Sequence, residues 1–131
     1  MNEECVTLET AMLMKEKGFD WRCEHTIDCC KIIRRYNLPQ DWLSCTVLDG
    51  KFIEFLCPTL SVAQKWLRET KNLHICIYNT ASGYSYEISK ADNGTTIVYC
   101  LPIGPNDGGN WDTYEEALED GILKSLKLIP Q

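Results

Sequence analysis

Long apolar runs are missing from this chain. No segment has the roughly 20 consecutive apolar residues of a membrane-spanning helix. The start, Met1-Asn2-Glu3-Glu4-Cys5, has neither the basic residues nor the apolar stretch of a secretory signal. These absences predict a cytoplasmic protein. Basic charge is also scarce: 13 Lys and Arg stand against 19 Asp and Glu, a net charge of −6. Such a surface repels phosphate, so bulk attraction to DNA, RNA or an anionic membrane is not expected. Lys31, Arg34 and Arg35 form the only tight basic cluster. Histidine is limited to His25 and His74. Internal repeats, low-complexity tracts and linkers are absent, and 131 residues predict a single domain, 1–131.

What is present in number is cysteine, with eight residues. In a cytoplasmic setting they read as reduced thiols rather than a disulfide framework. Cys76 and Cys100 fall inside strand patterns, where a thiol acts as a small buried hydrophobe. Cys23, His25, Cys29 and Cys30 are the one cluster with metal-ligand character. Zinc wants four N or S donors, usually as two well-separated pairs. Here one pair is separated by a single residue, the other is adjacent in sequence, and no second pair lies at a standard distance. A Cys/His metalloprotein or hydrolase therefore stays open as an alternative, while the main reading assigns no metal, cofactor or catalytic residue. His74 and Cys76 share a strand face roughly 7 Å apart, too far for a nucleophile–base hydrogen bond. Glu115, Glu116, Glu119 and Asp120 read as solvation and capping of the last helix. The glycines of the loop before it lack the Lys-Ser/Thr of a phosphate-binding loop.

Periodicity predicts three helices. Thr7 caps a first helix at about 8–17, with Leu8, Ala11 and Met12 on its buried side; Gly18 and Phe19 supply its left-handed end and hydrophobic contact. A second helix, at about 60–71, carries Leu60, Val62, Ala63, Trp66 and Leu67. It opens on Thr59, or on Ser61 with Gln64 as a capping box, and closes on Lys71-Asn72. A third, at about 114–129, is capped by Thr113 with Glu116. Tyr114, Ala117, Leu118, Gly121, Ile122, Ser125, Leu126 and Ile129 lie on one face of it. Within that face Ala117, Gly121 and Ser125 form a shallow groove, expected to receive Ile75, Ile77, Tyr84, Tyr86, Ile97 and Tyr99, or else the second helix.

Strands are expected around Leu73–Tyr78, Tyr84–Ile88 and Ile97–Leu101, joined at Ser82-Gly83 and Asn93-Gly94. A hairpin near 45–56 turns at Asp49-Gly50. The stretch between Asp20 and Pro58 is the least legible. Cys29, Ile32, Ile33 and Tyr36 have helical spacing, ended by Asn37-Leu38-Pro39, while the β-branched pair Ile32-Ile33 also suits a strand. The class is α+β: a mainly antiparallel sheet with helices on one face. Trp21, Trp42, Trp111, Tyr36, Tyr78 and Tyr84 lie in or beside loops, where an apolar ring with a polar tip suits a partner interface. Trp66 belongs to the core.

Several stretches taken together carry a resemblance. They are Leu8-Glu9-Thr10-Ala11, Lys15-Glu16-Lys17-Gly18-Phe19-Asp20, Pro58-Thr59, Ala63-Gln64-Lys65-Trp66-Leu67-Arg68-Glu69, Leu73-His74-Ile75, Tyr84-Ser85-Tyr86-Glu87-Ile88 and Thr113-Tyr114-Glu115-Glu116-Ala117-Leu118-Glu119. As a set they resemble a family of small uncharacterised proteins of phages and prophages of gut Bacteroidales, with 21–57 matching least. The resemblance implies a phage setting and an intracellular location, and brings no catalytic residues. Residues 73–129 alone are similar to the strand-and-helix core of HicB-type antitoxins. The expected function is an accessory protein that binds another protein, of phage or host. The alternative is an antitoxin-like inhibitor covering a partner's active site.

Overall fold

The computed structural model describes residues 4–99 and 104–130; Cys100 and Leu101, assigned by alternation to the third strand of the meander, lie outside them. The fold is α+β, with three α-helices and antiparallel strands in three sheets among the described residues. The chain divides into two compact units, Met1–Ser61 with Pro130–Gln131, and Val62–Ile129.

In the first unit, helix α1 (Leu8–Glu16) starts where the Thr7 hydroxyl accepts the Thr10 N–H at 3.4 Å. It ends in a Schellman motif: Phe19 N–H reaches Met14 O at 2.9 Å, Gly18 N–H reaches Lys15 O at 3.2 Å, and Gly18 takes φ 94°. The buried side differs from the expected one. It runs through Thr10, Ala11 and Met14, and Met12 is 45% exposed. The Thr7 hydroxyl donates to Thr10 Oγ1 at 3.2 Å, so a polar side chain enters the interior with a partner.

Helix α1 packs on strands β1 (Cys23–Asp28) and β5 (Glu54–Leu56) of a sheet ordered β2-β1-β5. The stretch left open between helix and strand is a strand, β2 (Ile33–Gln40). Helical spacing there competed with β-branching, and pairing with β1 decided it. Asn37-Leu38-Pro39 does not end an element but lies within one. Cys23 pairs with Gln40 and His25 with Arg35, so β2 bows outward between these pairs. Pro39 has no N–H to give a ladder and is tolerated because β2 is an edge strand. The hairpin expected near 45–56 is β3 (Val47–Leu48) with β4 (Lys51–Phe52). Asp49 at φ 52° and Gly50 at φ 78° form its turn, of the twist-matched kind with both φ positive.

The boundary between the units falls in the first turn of helix α2 (Leu60–Thr70), on which Leu60, Ala63, Trp66 and Leu67 are buried. Asn72 follows in the left-handed region at φ 58°, and Gln64 Nε2 donates to Ile75 O at 2.8 Å. Strands β6 (Leu73–Thr80), β7 (Gly83–Lys90) and β8 (Thr96–Tyr99) form the expected meander. Helix α3 (Tyr114–Leu128) lies against β6 and β7, capped by Thr113, whose hydroxyl accepts the Glu116 N–H at 3.1 Å.

Ala117, Gly121 and Ser125 are buried, and a Cβ on Gly121 would come within 2.8 Å of Ile75 Cγ2 and 3.4 Å of the Tyr86 ring. The third strand contributes differently from expectation. Val98 pairs with Ile88, on the face of Ile75, because an irregularity between Ile88 and Ser89 shifts the register; Ile97 is 41% exposed and Tyr99 pairs with Glu87. Asp120, expected in solvent, accepts the Tyr86 hydroxyl at 2.6 Å.

Gly121→Ala gains about 1 kcal/mol of helix propensity. It also forces a shift of Ile75, a β-branched strand residue that is 1% exposed, at about 1–3 kcal/mol. The expected outcome is a net loss of about 1 kcal/mol, seen as a lower urea midpoint at unchanged m. A raised midpoint would show that α3 does not need this close approach.

Candidate functional site

The β1–β2 hairpin is built around a carboxylate at its turn. Asp28 Oδ1 accepts the N–H groups of Cys30 at 2.8 Å and Ile32 at 3.0 Å, and Oδ2 takes Arg34 Nη1 at 2.6 Å. The Ile32 N–H and the Arg34 guanidinium hold the Asp28 carboxyl below the usual carboxylate range. Lys31 takes the left-handed conformation, φ 66°, that the turn requires.

Hydrogen-bond alternation then sets which backbone groups of β2 face outward. Asp28 N–H donates to Ile32 O. In an antiparallel ladder bonded pairs alternate with non-bonded ones, so Thr26 and Arg34 form a bonded pair while Ile27–Ile33 and His25–Arg35 do not. The other side of β1 agrees: Cys29 N–H reaches Ile53 O and Cys57 N–H reaches His25 O, which turns the groups of His25 and Ile27 toward β5. The N–H and C=O of Ile33 and Arg35 therefore point away from the sheet. Among the described residues no strand or bridge pairs with them. Residues 33–39 are exposed apart from the half-buried Tyr36, and Ile32, Ile33 and Leu38 are 53%, 48% and 73% exposed.

Beside this edge lies a half-open groove of about 650 Å³. The start of α1 (Leu8, Glu9, Met12) and the lead-in residues Cys5, Val6 and Thr7 form one wall, and Ile27, Lys31 and Ile33 the other. The lining is mostly apolar, with Lys31 and Glu9 as its charges. The groove is large enough for a few side chains.

A buried carboxylate holds β2 in place from behind. Glu54, on β5, is 6% exposed and accepts from Thr26 Oγ1 at 2.6 Å, Tyr36 OH at 2.9 Å, Thr46 N at 2.9 Å and Thr46 Oγ1 at 3.1 Å. Burial alone pushes this carboxyl up, and the donors together outweigh it, leaving Glu54 below its ordinary value. No motif in the sequence singles it out. The available signal was one charge inside the apolar run Phe52-Ile53-Glu54-Phe55-Leu56.

The structure does not bring the four metal-ligand candidates together. Cys23 and His25 lie on β1, whereas Cys29 and Cys30 are exposed at the turn beyond its end, roughly 20 Å from Cys23 at the strand rise. Among the described residues no group of three or more His, Cys, Asp or Glu side chains could hold a metal ion. Burial pushes the Cys23 thiol up to about 12 and the Cys45 thiol to about 11, with the charge of Glu54 adding to the second. Neither is a thiolate at neutral pH.

The six aromatic candidates sit in different surroundings. Trp42 donates Nε1–H to Phe19 O at 2.7 Å and meets Phe52 and Phe55 edge-on, with Lys15 Nζ 4.3 Å from the Phe52 ring centroid. Trp21 is half-buried beside Phe19, and Tyr36 is the Glu54 donor just described. In the second unit Trp111 is 7% exposed and packs on Tyr86, Tyr84 packs edge-on to Tyr114, and Tyr78 is 42% exposed. Trp111 also pairs with Tyr84 through both backbone bonds, so the glycine-bearing loop returns to the edge of β7. The loop's N–H groups are occupied internally: those of Gly108 and Asn110 by Asn106 Oδ1, that of Gly109 by Asn106 O. No protein-family model matches the chain, and neither the curated proteins nor the solved structures contain a match.

Because Glu54 binds its proton less readily in the folded chain than in the unfolded one, its contribution to stability is complete above the ordinary carboxyl value. It is lost as pH falls through the lower folded value. Glu54→Gln removes that pH dependence and sets an amide NH₂ against donors, at a cost of about 1–3 kcal/mol near neutral pH. Urea unfolding near neutrality and at about pH 4 measures both: the gap between parent and variant narrows in acid. An equal gap at both values would show that the Glu54 charge is not what these donors hold.

Proposed function

We propose that this chain is a non-enzymatic binding protein that takes an extended segment of another protein onto the free edge of β2, in a phage or prophage setting. One observation carries the reading. The outward backbone groups of Ile33 and Arg35 lie on an exposed edge strand beside an apolar groove. Strand addition draws affinity from main-chain hydrogen bonds and selectivity from pockets beside alternate side chains, and this edge offers both. Exposed apolar side chains gathered around one edge mark interaction surfaces more often than single scattered ones do. The described residues contain no helix long and apolar enough to cross a membrane.

A second reading, an inhibitor that lays its meander over a partner's active site, is favoured by Tyr78 and Ile97, 42% and 41% exposed on the meander. One experiment separates the two. A partner captured from host cells is reconstituted with the chain, and amide hydrogen exchange is followed residue by residue. In the free chain the Ile33 and Arg35 amides exchange fast while that of Arg34 is protected. In the complex all three are protected and β6–β8 is unchanged. Protection confined to β6–β8 would replace the edge reading with the inhibitor reading, and no new protection at Ile33 and Arg35 would remove the first outright.

A further inference from the structure

We infer that the segment β2 accepts is acidic, and that it carries an apolar side chain two residues from a carboxylate. This rests on the reading of β2 as a binding edge. Ile33 and Arg35, whose backbone groups face outward, have their side chains on one face of the sheet, the face shared by Ile27 and lined by the groove. An antiparallel strand added there places one residue opposite Ile33 and another, two positions earlier in its own sequence, opposite Arg35. Side chains directly opposite across such a pair lie about 5 Å apart at Cβ. The residue facing Ile33 enters the space between Ile33, Met12 and Leu8, where an aliphatic chain fits and a charge is desolvated. The residue facing Arg35 meets a guanidinium that is exposed and, among the described residues, has no ion-pair partner. Arg34 points to the opposite face and is already held by Asp28 at 2.6 Å. The favoured pattern is thus Asp or Glu, any residue, then Leu, Ile or Met; Lys31 adds a second positive charge on the β2 side of the groove, and Glu9 stands on the opposite wall, at the start of α1.

Two other occupants fit less well. A second copy pairing β2 with β2 about a twofold axis puts Arg34 opposite itself if the axis passes at Arg34, Arg35 opposite itself if it passes at Arg35, and Lys31 opposite Arg35 if it passes at Ile33; like charges directly opposite are destabilising. Nucleic acid needs a run of free cations along its phosphates, whereas the one basic cluster has three members, one of them neutralised by Asp28; a short acidic segment needs only one or two. Arg34, Arg35 and Pro39 also act as guards against edge-to-edge pairing. Guarding accounts for the charges and leaves the groove, with Ile33 and Met12 48% and 45% exposed beside it, unexplained.

The test uses the whole chain and three labelled probes. They are a short synthetic peptide alternating Glu and Thr with one central Leu, the same peptide with Lys for Glu, and oligo-dT. Fluorescence anisotropy reads affinity, and hydrogen exchange reads the Ile33 and Arg35 amides. The acidic peptide is expected to bind about tenfold tighter than the Lys peptide, the value of two or three cross-strand charge pairs, with the difference shrinking as salt rises. Arg35→Gln narrows the preference and Arg35→Glu, at an exposed position and with the fold checked by circular dichroism, removes it. Equal binding of the two peptides with both amides protected overturns the acidic partner and leaves the edge reading standing. Tighter binding of oligo-dT overturns it in favour of nucleic acid. Absence of protection with either peptide overturns the edge reading itself.

Discussion

A carboxylate taken out of water must find donors, and in the first unit that requirement organises the strands. Glu54 collects four hydrogen bonds from Thr26, Tyr36 and Thr46, which belong to β1, to β2 and to the approach to the β3–β4 hairpin. Removing any donor would leave a buried charge short of a partner, so the three segments are mutually fixed more tightly than their short ladders would fix them. The consequence for β2 is specific. A strand paired on one side only, and interrupted by an outward bow after Arg35, gains a tether at Tyr36, next to the residues whose backbone groups are left open. Rigidity at an open edge lowers the ordering cost that any added strand must overcome.

Much of the architecture was legible because its signals are local. The cap at Thr7, the Gly18-Phe19 ending, the Asp49-Gly50 turn and the Thr113–Glu116 cap each need only a few neighbouring residues. Their geometry followed. The groove of α3 was read from spacing alone, and Ile75 and Tyr86 fill it. Alternation alone puts Ile97 inward, and it cannot contain the irregularity between Ile88 and Ser89 that slips the register and puts Val98 on the inner face.

The candidate site was much less legible. Ile32, Ile33 and Tyr36 satisfy both periods at once, and the deciding contacts come from β1 across a turn made by Asp28. Asn37-Leu38-Pro39 reads as the end of a helix because an edge strand that tolerates proline leaves the same local trace. The donors of Glu54 lie 28, 18 and 8 residues away along the chain, beyond any local motif. The basic cluster at 31–35 was visible from the start; only the fold shows that it sits on an open edge.

The exposed pair Cys29-Cys30 at the tip of the β1–β2 hairpin has a consequence for anyone handling the protein. Both thiols are accessible and adjacent to the open edge, so air oxidation would link two chains tip to tip and bring their β2 strands close together. Such a species would migrate as a dimer, while reflecting storage history rather than recognition. Reductant, or serine at both positions, separates the chemistry of the tip from the binding of the strand beside it.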